Sequence, residues 1–149
     1  MKKIFLIAGL LILVTAIVFL NYNYQNKKTP QVTINNHIFN LAIAKTDTEK
    51  EIGLSKYKNI PQNFGMLFPF GKPDYYSFWM KNMKFPIDII FIRNNKIVTI
   101  FKNASPPKSN NELLPIYRNQ NLSDTVLEIN TGLSDKYNFK SGDLIKLNY

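Results

Sequence analysis

The sequence contains no cysteine and only one histidine, His37, and both scarcities exclude kinds of chemistry. Without cysteine there is no disulfide, no thiol nucleophile and no lipid attached through a thiol. A single histidine without cysteine argues against a zinc site. The sequence also lacks a G-x-S-x-G elbow, a P-loop and a dinucleotide-binding fingerprint. We therefore expect no metal and no cofactor.

Acidic residues are also scarce, because ten Asp and Glu stand against nineteen Lys and Arg, for a formal net charge of +9. A basic excess often indicates nucleic-acid binding. The lysines are scattered along the sequence rather than clustered, and the N-terminal segment described next predicts export. We therefore expect no nucleic-acid partner, and interpret the charge as a basic surface that faces anionic lipid or wall polymer.

One long apolar run is present, from residue 4 to residue 20, with no charge in seventeen residues. At about 1.5 Å per residue it covers about 25 Å, enough to cross a bilayer core. Lys2 and Lys3 precede the run, which by the positive-inside tendency keeps the N-terminus in the cytoplasm. A retained anchor is favoured over a cleaved signal peptide, because the small-x-small triplet at 14–16 lies within the run.

Both alternatives place the remainder of the chain outside the cytoplasm, anchored by a single pass or, if the leader is cleaved, secreted. The sequence accordingly divides into three parts. Residues 1–21 are the membrane anchor or signal segment, residues 22–31 form a polar tether, and residues 32–149 form an exported β domain. A domain of that length buries a sufficient core without disulfides.

Short apolar runs separated by turn residues predict about seven short strands in the exported part. Asn35-Asn36 and Asn94-Asn95 each stand between two such runs and predict hairpin turns. Residues 46–49, T-D-T-E, match a capping box and predict a short helix over 47–54 that plugs one end or covers an edge. Residues 103–123 are loop-like. We expect a mainly β fold, a compact small β-barrel or sandwich with one or two short helices, preceded by an N-terminal transmembrane segment.

Six motifs follow one another in a fixed order along the exported part. They are T-x-x-E-K-x-x-G-L at 46–54, G-M-L-F-x-F at 65–70, S-F-W-M-K-N at 77–82, P-x-D-x-x-F at 86–91, V-L-E-x-N-x-G at 126–132 and G-D at 142–143. Their order and spacing resemble the domain-of-unknown-function family DUF192, over about residues 32–148. The resemblance implies a small single-domain β protein, often exported and often beside a membrane anchor or signal. It implies no settled activity.

The sequence departs from the family pattern in the segment after the predicted helix. Where the pattern reads G-L-M-x-R, Ser55 replaces the methionine and Tyr57 the arginine. If that arginine binds an anion in relatives, Tyr57 cannot replace it, although Lys56 or Lys58 could do so in part. A cysteine that often follows proline in the later loop is Pro107 here, which excludes any thiol chemistry of the relatives.

Asp88 is the first candidate for a functional side chain, because it lies between Pro86 and an apolar run. Its carboxylate is expected to be partly buried and therefore to need a partner or a raised pKa. Lys81 is the predicted partner, with Asn82 as an added donor. Two interpretations remain open, a structural ion pair that fixes the loop between two strands, and a proton acceptor or ligand anchor.

The single tryptophan, Trp79, is either a core residue or a platform on which a sugar ring stacks. Glu128 alternates with apolar neighbours in a predicted strand and faces either the site or solvent. Glu49, on the capped helix, is the other acid that we place at the rim of a site.

We therefore expect a membrane-tethered extracytoplasmic domain that binds a small ligand or an envelope partner, without catalysis. The candidate ligand-binding residues are Trp79, Lys81, Asn82 and Asp88, with Glu49 and Glu128 at the rim. One alternative is a hydrolase that acts on an envelope glycan, with Asp88 as general base and Glu128 or Glu49 as the second carboxylate. Another is an assembly or stability factor that contacts a second membrane protein through the 103–123 loop.

Overall fold

A computed structural model describes residues 2–25, 29–109 and 112–148. Its helices are Lys2–Gln25 (α1), Asp47–Ile52 (α2) and Leu133–Lys136 (α3), and one turn of 3-10 helix covers Gly53–Lys56. Its strands are Gln31–Ile34 (β1), His37–Ile43 (β2), Phe64–Asp74 (β3), Ser77–Trp79 (β4), Ile87–Arg93 (β5), Lys96–Ala104 (β6), Ile116–Arg118 (β7), Ser123–Asn130 (β8) and Ile145–Asn148 (β9).

Seven of the strands form one sheet in the order β6-β5-β8-β3-β2-β1-β9, which confirms the mainly β prediction. The pair β2–β3 is parallel and the other neighbours are antiparallel. The sheet curls until its two outer strands meet at one end. There the N–H of Ile97 donates to the carbonyl of Asp143 at 3.0 Å, and that of Ile145 to the carbonyl of Asn95 at 2.9 Å. The result is a half-barrel.

Both predicted Asn-Asn hairpins are present. Asn35 and Asn36 have φ of 45° and 66°, and Asn94 and Asn95 have φ of 49° and 58°. Two successive residues with positive φ make the turn whose twist matches that of the flanking strands, and asparagine tolerates this conformation better than other side chains. These turns set the registers β1–β2 and β5–β6.

The three central strands, β3, β5 and β8, are buried on both sides. One side, the closed face, lies within the curl and is exemplified by Leu67, Ile90 and Leu127. The other side, the pocket face, is exemplified by Phe68 and Val126, and the 3-10 turn and the β4–β7 ribbon pack over it. Since side chains alternate along a strand, each central strand contributes to both faces.

The segment from residue 75 to residue 82 contains the short strand β4. Only Ser77–Trp79 is extended, and 46% of the Trp79 surface is exposed. Its partner is Ile116–Arg118, so the stretch predicted as a loop over 103–123 contains a strand. The two segments are about 40 residues apart in sequence and form a separate two-stranded ribbon. No local sequence pattern predicts this pairing.

Residues Lys2–Gln25 form a single helix of 24 residues. Across the described ranges 2–25, 29–109 and 112–148, no helix is both long and apolar enough to cross a membrane. The division into leader, tether and exported domain stays a prediction.

Candidate functional site

A cavity of about 260 Å³ opens on the pocket face, between α2 with its 3-10 turn on one side and residues 76–83 on the other. Strands β3 and β8 form its floor. We call it the Glu128 pocket, after the one carboxyl group at its floor. Its lining consists of Lys50, Glu51, Ile52, Gly53, Leu54, Phe68, Phe70, Tyr76, Ser77, Phe78, Trp79, Lys81, Met83 and Glu128.

The capping box predicted at Thr46 is confirmed, and it fixes the helix that forms one wall. The N–H of Glu49 donates to the Thr46 hydroxyl at 3.2 Å, and the Glu49 carboxylate accepts from the N–H groups of Thr46 and Lys45 at 2.8 Å each. These backbone donors lower the pKa of Glu49 below its ordinary value. Glu49 therefore holds the start of α2 and does not line the pocket, where we had placed it at the rim.

Gly53 ends α2 and keeps the space above Glu128 open. Its backbone, at φ 50° and ψ −138°, lies in a region that side chains rarely adopt, and its N–H donates to the carbonyl of Glu49. A Cβ at this position would lie 3.4 Å from the Phe68 ring and 3.9 Å from Oε2 of Glu128. The glycine after the capping box thus shapes the pocket as well as ending the helix.

Glu128 lies on β8 opposite Met66 and Ile89, and only 6% of its surface is exposed. Its Oε2 has no hydrogen-bond partner among the described residues. Burial raises the pKa of Glu128 to about 8. At neutral pH the group is mostly the neutral acid, which both donates and accepts a hydrogen bond. Among the described residues, it is the only buried polar side chain that lines the pocket.

Aromatic rings make up much of the pocket wall. Phe68 and Phe78 meet edge to face with ring centroids 5.2 Å apart, and Phe70 stacks on Tyr76 at 3.7 Å. Trp79 stands at the rim, 46% exposed. Such walls favour an apolar chain or a flat ring, and offer few polar groups to orient it.

Two lysines lie at the mouth of the pocket, each above one of these rings. Nζ of Lys50 is 5.0 Å from the centroid of the Phe70 ring, and Nζ of Lys81 is 5.4 Å from that of Trp79. Trp79 and Lys81 also line an adjoining cavity of about 140 Å³ together with Asn82. The attraction between an ammonium group and an aromatic face holds both charges near the mouth.

Asp88 lies elsewhere, and its predicted pairing with Lys81 and Asn82 is wrong. The carboxylate is fully buried on the closed face and accepts from three backbone N–H groups, those of Asn103 at 3.0 Å, Gly132 at 3.2 Å and Ser134 at 2.9 Å. Strand alternation turns Asp88 away from the side on which Lys81 lies. The backbone of β6 and of the start of α3 supplies the partners that we had assigned to a lysine.

The same alternation makes the predicted pairing of Asp88 with Glu128 as the two hydrolase carboxylates wrong. Asp88 pairs with Ile129 across the β5–β8 ladder, whereas Glu128 pairs with Ile89, the next position on each strand. The two carboxyl groups therefore point to opposite faces of the sheet. They cannot flank one glycosidic bond, and the buried, fully bonded Asp88 has no access to act as general base.

The structure thus brings together Trp79, Lys81 and Glu128 of the predicted residues, with Asn82 beside them and Asp88 and Glu49 outside. Lys50 and Gly53 were not predicted as site residues. The G-L pair after the capping box could have indicated Gly53. A glycine at that position marks the end of a helix, and here the helix end faces the site. Within the described part of the chain, no three His, Asp or Glu side chains gather as metal ligands would.

Comparison with known proteins identifies similar structures, but these do not assign an activity to the chain. No curated protein matches the chain. A crystal structure of a protein of unknown function from Novosphingobium aromaticivorans DSM 12444 is similar, with 30% identity, a TM-score of 0.69, and coverage of 79% of this chain and 83% of that one. A candidate transcription regulator from Sinorhizobium meliloti 1021 is similar at 28% identity and a TM-score of 0.69, covering 79% of this chain and 91% of that one.

The sequence profile of DUF192, described as "Uncharacterized ACR", matches residues 30–147. That range includes every strand from β1 to β8, most of β9, and all residues that line the Glu128 pocket. The chain belongs to the DUF192 family.

Proposed function

We propose that this DUF192 domain binds a small molecule in the Glu128 pocket, and that it does so outside the cytoplasm, tethered to a membrane by the N-terminal segment. The pocket has the features of a ligand site, which are a concave shape, mostly apolar walls and a single polar group at the floor. Trp79 and Lys81, both predicted as ligand-binding residues, lie at its rim.

The observation that carries the proposal is the unpartnered carboxyl oxygen of Glu128. A buried polar atom without a hydrogen bond costs about 1–3 kcal/mol, and protein cores rarely contain one. Glu128 faces a cavity rather than a filled core, so a ligand can supply the missing partner. Ionisable groups with strongly perturbed pKa values cluster at functional sites.

The tether rests on the sequence. Seventeen uncharged residues from 4 to 20 follow Lys2 and Lys3, the pattern of an anchor whose following domain lies outside the cytoplasm. The absence of cysteine from the chain offers a clean test. In intact cells, Lys140→Cys should react with a membrane-impermeant maleimide, and protection of that thiol until the cells are lysed would contradict the location.

A protein partner is a second candidate, favoured by exposed apolar side chains in the 103–123 segment. Leu113 is 93% exposed and Ile116, the strand partner of Trp79, is 58% exposed. Large apolar side chains exposed near one another commonly mark an interaction site. It adjoins the rim of the Glu128 pocket through Trp79, so a partner and a ligand would compete for, or share, that residue.

The binding proposal can be tested with 3-phenylpropan-1-ol, a neutral probe that has an apolar ring and one hydroxyl group. Trp79 is the only tryptophan, so its fluorescence reports events at the rim without labelling. We expect saturable quenching for the full-length chain held in an amphipol. Glu128→Leu, which removes the hydrogen-bonding group, should weaken binding about tenfold, the equivalent of about 1.4 kcal/mol.

Two controls make this test specific. Glu128→Gln retains a donor and an acceptor and should retain most of the affinity. Glu112→Gln, at an exposed position outside the pocket lining, should leave the affinity unchanged. If the probe does not bind, or if Glu128→Leu and Glu112→Gln behave alike while both remain folded by circular dichroism, Glu128 is not part of a ligand site.

A further inference from the structure

The mouth of the Glu128 pocket carries positive charge from two different structural elements. Lys50 belongs to α2, and Lys81 follows β4 on the opposite wall. Each ammonium group lies above an aromatic ring of the lining, with Nζ of Lys50 5.0 Å from the Phe70 centroid and Nζ of Lys81 5.4 Å from the Trp79 centroid. The two charges therefore lie on opposite walls of the pocket, each close to the aromatic lining.

The floor of the pocket does not cancel these charges at neutral pH. Because burial raises the pKa of Glu128 to about 8, its carboxyl group is mostly uncharged at pH 7. Glu51 is the only other acid in the lining, and it is an exposed residue of α2. Lys50 is 3.8 Å from Asp47 within its own helix, whereas Lys81 takes part in no ion pair among the described residues.

We infer that the ligand of the Glu128 pocket is a small organic anion, with an apolar body among the aromatic rings and its charged group between Lys50 and Lys81. A hydrogen-bond acceptor on the body would meet the acid group of Glu128. This inference rests on the proposed binding function and specifies the chemical class of the ligand.

A cationic ligand fits the same pocket less well, although an aromatic box and a buried carboxyl group suggest one at first. The protein's own ammonium groups already lie over Phe70 and over Trp79, and would compete with a cationic ligand for these rings. A cation at the floor would also need to pass Lys50 and Lys81 and to remove the proton from Glu128. An anion meets none of these obstacles, and carboxylate–ammonium contacts are favourable charge-assisted hydrogen bonds.

Three probes of one shape test the sign of the ligand charge. They are 3-phenylpropionate, 3-phenylpropan-1-ol and 3-phenylpropylamine, which are anionic, neutral and cationic at pH 7. Each is titrated against the full-length chain in an amphipol, with Trp79 fluorescence as the readout, at low and at moderate ionic strength. We expect the anion to bind at least about fivefold more tightly than the alcohol, and the amine to bind more weakly than both.

Variants then separate a local contact from the effect of net charge. The double variant Lys50→Gln/Lys81→Gln should lose the preference for the anion and keep its affinity for the alcohol. The matched double variant Lys140→Gln/Lys146→Gln removes the same charge from exposed positions that do not line the pocket, and should keep the preference. Circular dichroism verifies that all four substitutions leave the fold intact.

The outcomes are distinct. Tighter binding of the amine, or equal binding of the three probes, would overturn the anion inference and leave the ligand pocket standing. An equal loss of preference in both double variants would overturn it as well, because net charge alone would then explain the selectivity. Failure of all three probes to bind would contradict the proposed pocket and the anion inference together.

Discussion

Two buried carboxyl groups, Asp88 and Glu128, occupy successive positions of the β5–β8 ladder but differ in their hydrogen-bond partners. Asp88, on the closed face, accepts hydrogen bonds from three backbone N–H groups. Glu128, on the pocket face, has an oxygen with no partner among the described residues. Both are at least nine-tenths buried, so burial alone does not distinguish them.

The difference lies in what surrounds each group. Fixed backbone donors compensate the buried Asp88 charge and fasten β5 to the β6 end and to α3, which is a structural task. Burial without donors leaves Glu128 with a raised pKa and an unmet hydrogen-bonding capacity beside a cavity. A buried acid is thus evidence for a site only when the fold leaves it unsatisfied.

The largest effect should be a pH dependence caused by Glu128. Its pKa is about 8 in the folded state against an ordinary value of 4.5, so between these values the folded chain holds a proton that the unfolded chain has lost. Stability therefore falls as the pH rises, by up to about 1.4 kcal/mol per unit, or about 3.5 kcal/mol between pH 5 and pH 8. Urea unfolding at several pH values measures it.

Glu128→Gln supplies the comparison for that prediction, because it keeps the shape and removes the titration. The variant should lose this component of the slope, and its difference from the wild type should widen steadily across the window. Parallel stability curves for the two proteins from pH 5 to pH 8 would mean that Glu128 is not an isolated buried acid, and the contrast with Asp88 would fail.

Removal of the Asp88 carboxylate should have the next largest effect. Asp88→Ala leaves three backbone N–H groups without an acceptor in the closed core, at a cost of about 3 kcal/mol or more in the free energy of unfolding. Asp135→Ala is the matched control, because its pair with Lys102 is exposed and worth less than about 1 kcal/mol. Similar losses of stability in the two variants would contradict the structural role of Asp88.

The space above Glu128 is tested by Gly53→Ala. The backbone conformation of Gly53 is strained for any side chain, so we expect a loss of about 2 kcal/mol in the free energy of unfolding. The added methyl group would make ordinary contact with the Phe68 ring at 3.4 Å and occupy space above Glu128, so binding of 3-phenylpropan-1-ol should weaken. Gly71→Ala is the control, since Gly71 also has a positive φ, of 77°, but open space around it. It should lose about 1 kcal/mol and bind normally.

The smallest effect should come from the cap that holds the pocket wall. Thr46→Ala removes the hydroxyl that accepts from the N–H of Glu49, and should cost about 1 kcal/mol. Thr48→Ala, on the same helix with no capping contact, should change stability by less than about 0.5 kcal/mol. Equal values from thermal unfolding of the two variants would show that the cap contributes little to the wall.

Features governed by neighbouring residues were predictable from the sequence. The Asn-Asn turns and the capping box at Thr46 follow from local backbone preferences, and both were predicted at the correct positions. Repeated short strands were enough to predict a mainly β fold. They were not enough to predict the half-barrel, since its closure depends on contacts between Ile97 and Asp143, which are far apart in sequence.

The site was harder to predict from the sequence, because its contacts also join residues far apart in the chain. The donors to Asp88 come from residues 15 to 46 positions away, and no spacing rule relates them to it. A lysine seven positions before Asp88 was the more obvious partner, and strand alternation excludes it. The motif S-F-W-M-K-N did point to the pocket wall, because the family pattern places Trp79 and Lys81 together there.

The sheet order has a consequence for how this domain is made. The last strand, Ile145–Asn148, pairs with the first, Gln31–Ile34, and also brings the two outer edges of the sheet together. During vectorial synthesis, β1 keeps an open edge until more than a hundred further residues have emerged. Such distant pairing slows folding, and the unpaired edge is exposed to other chains in the interval. We therefore expect the nascent chain to require a chaperone until residues 142–148 have been synthesised.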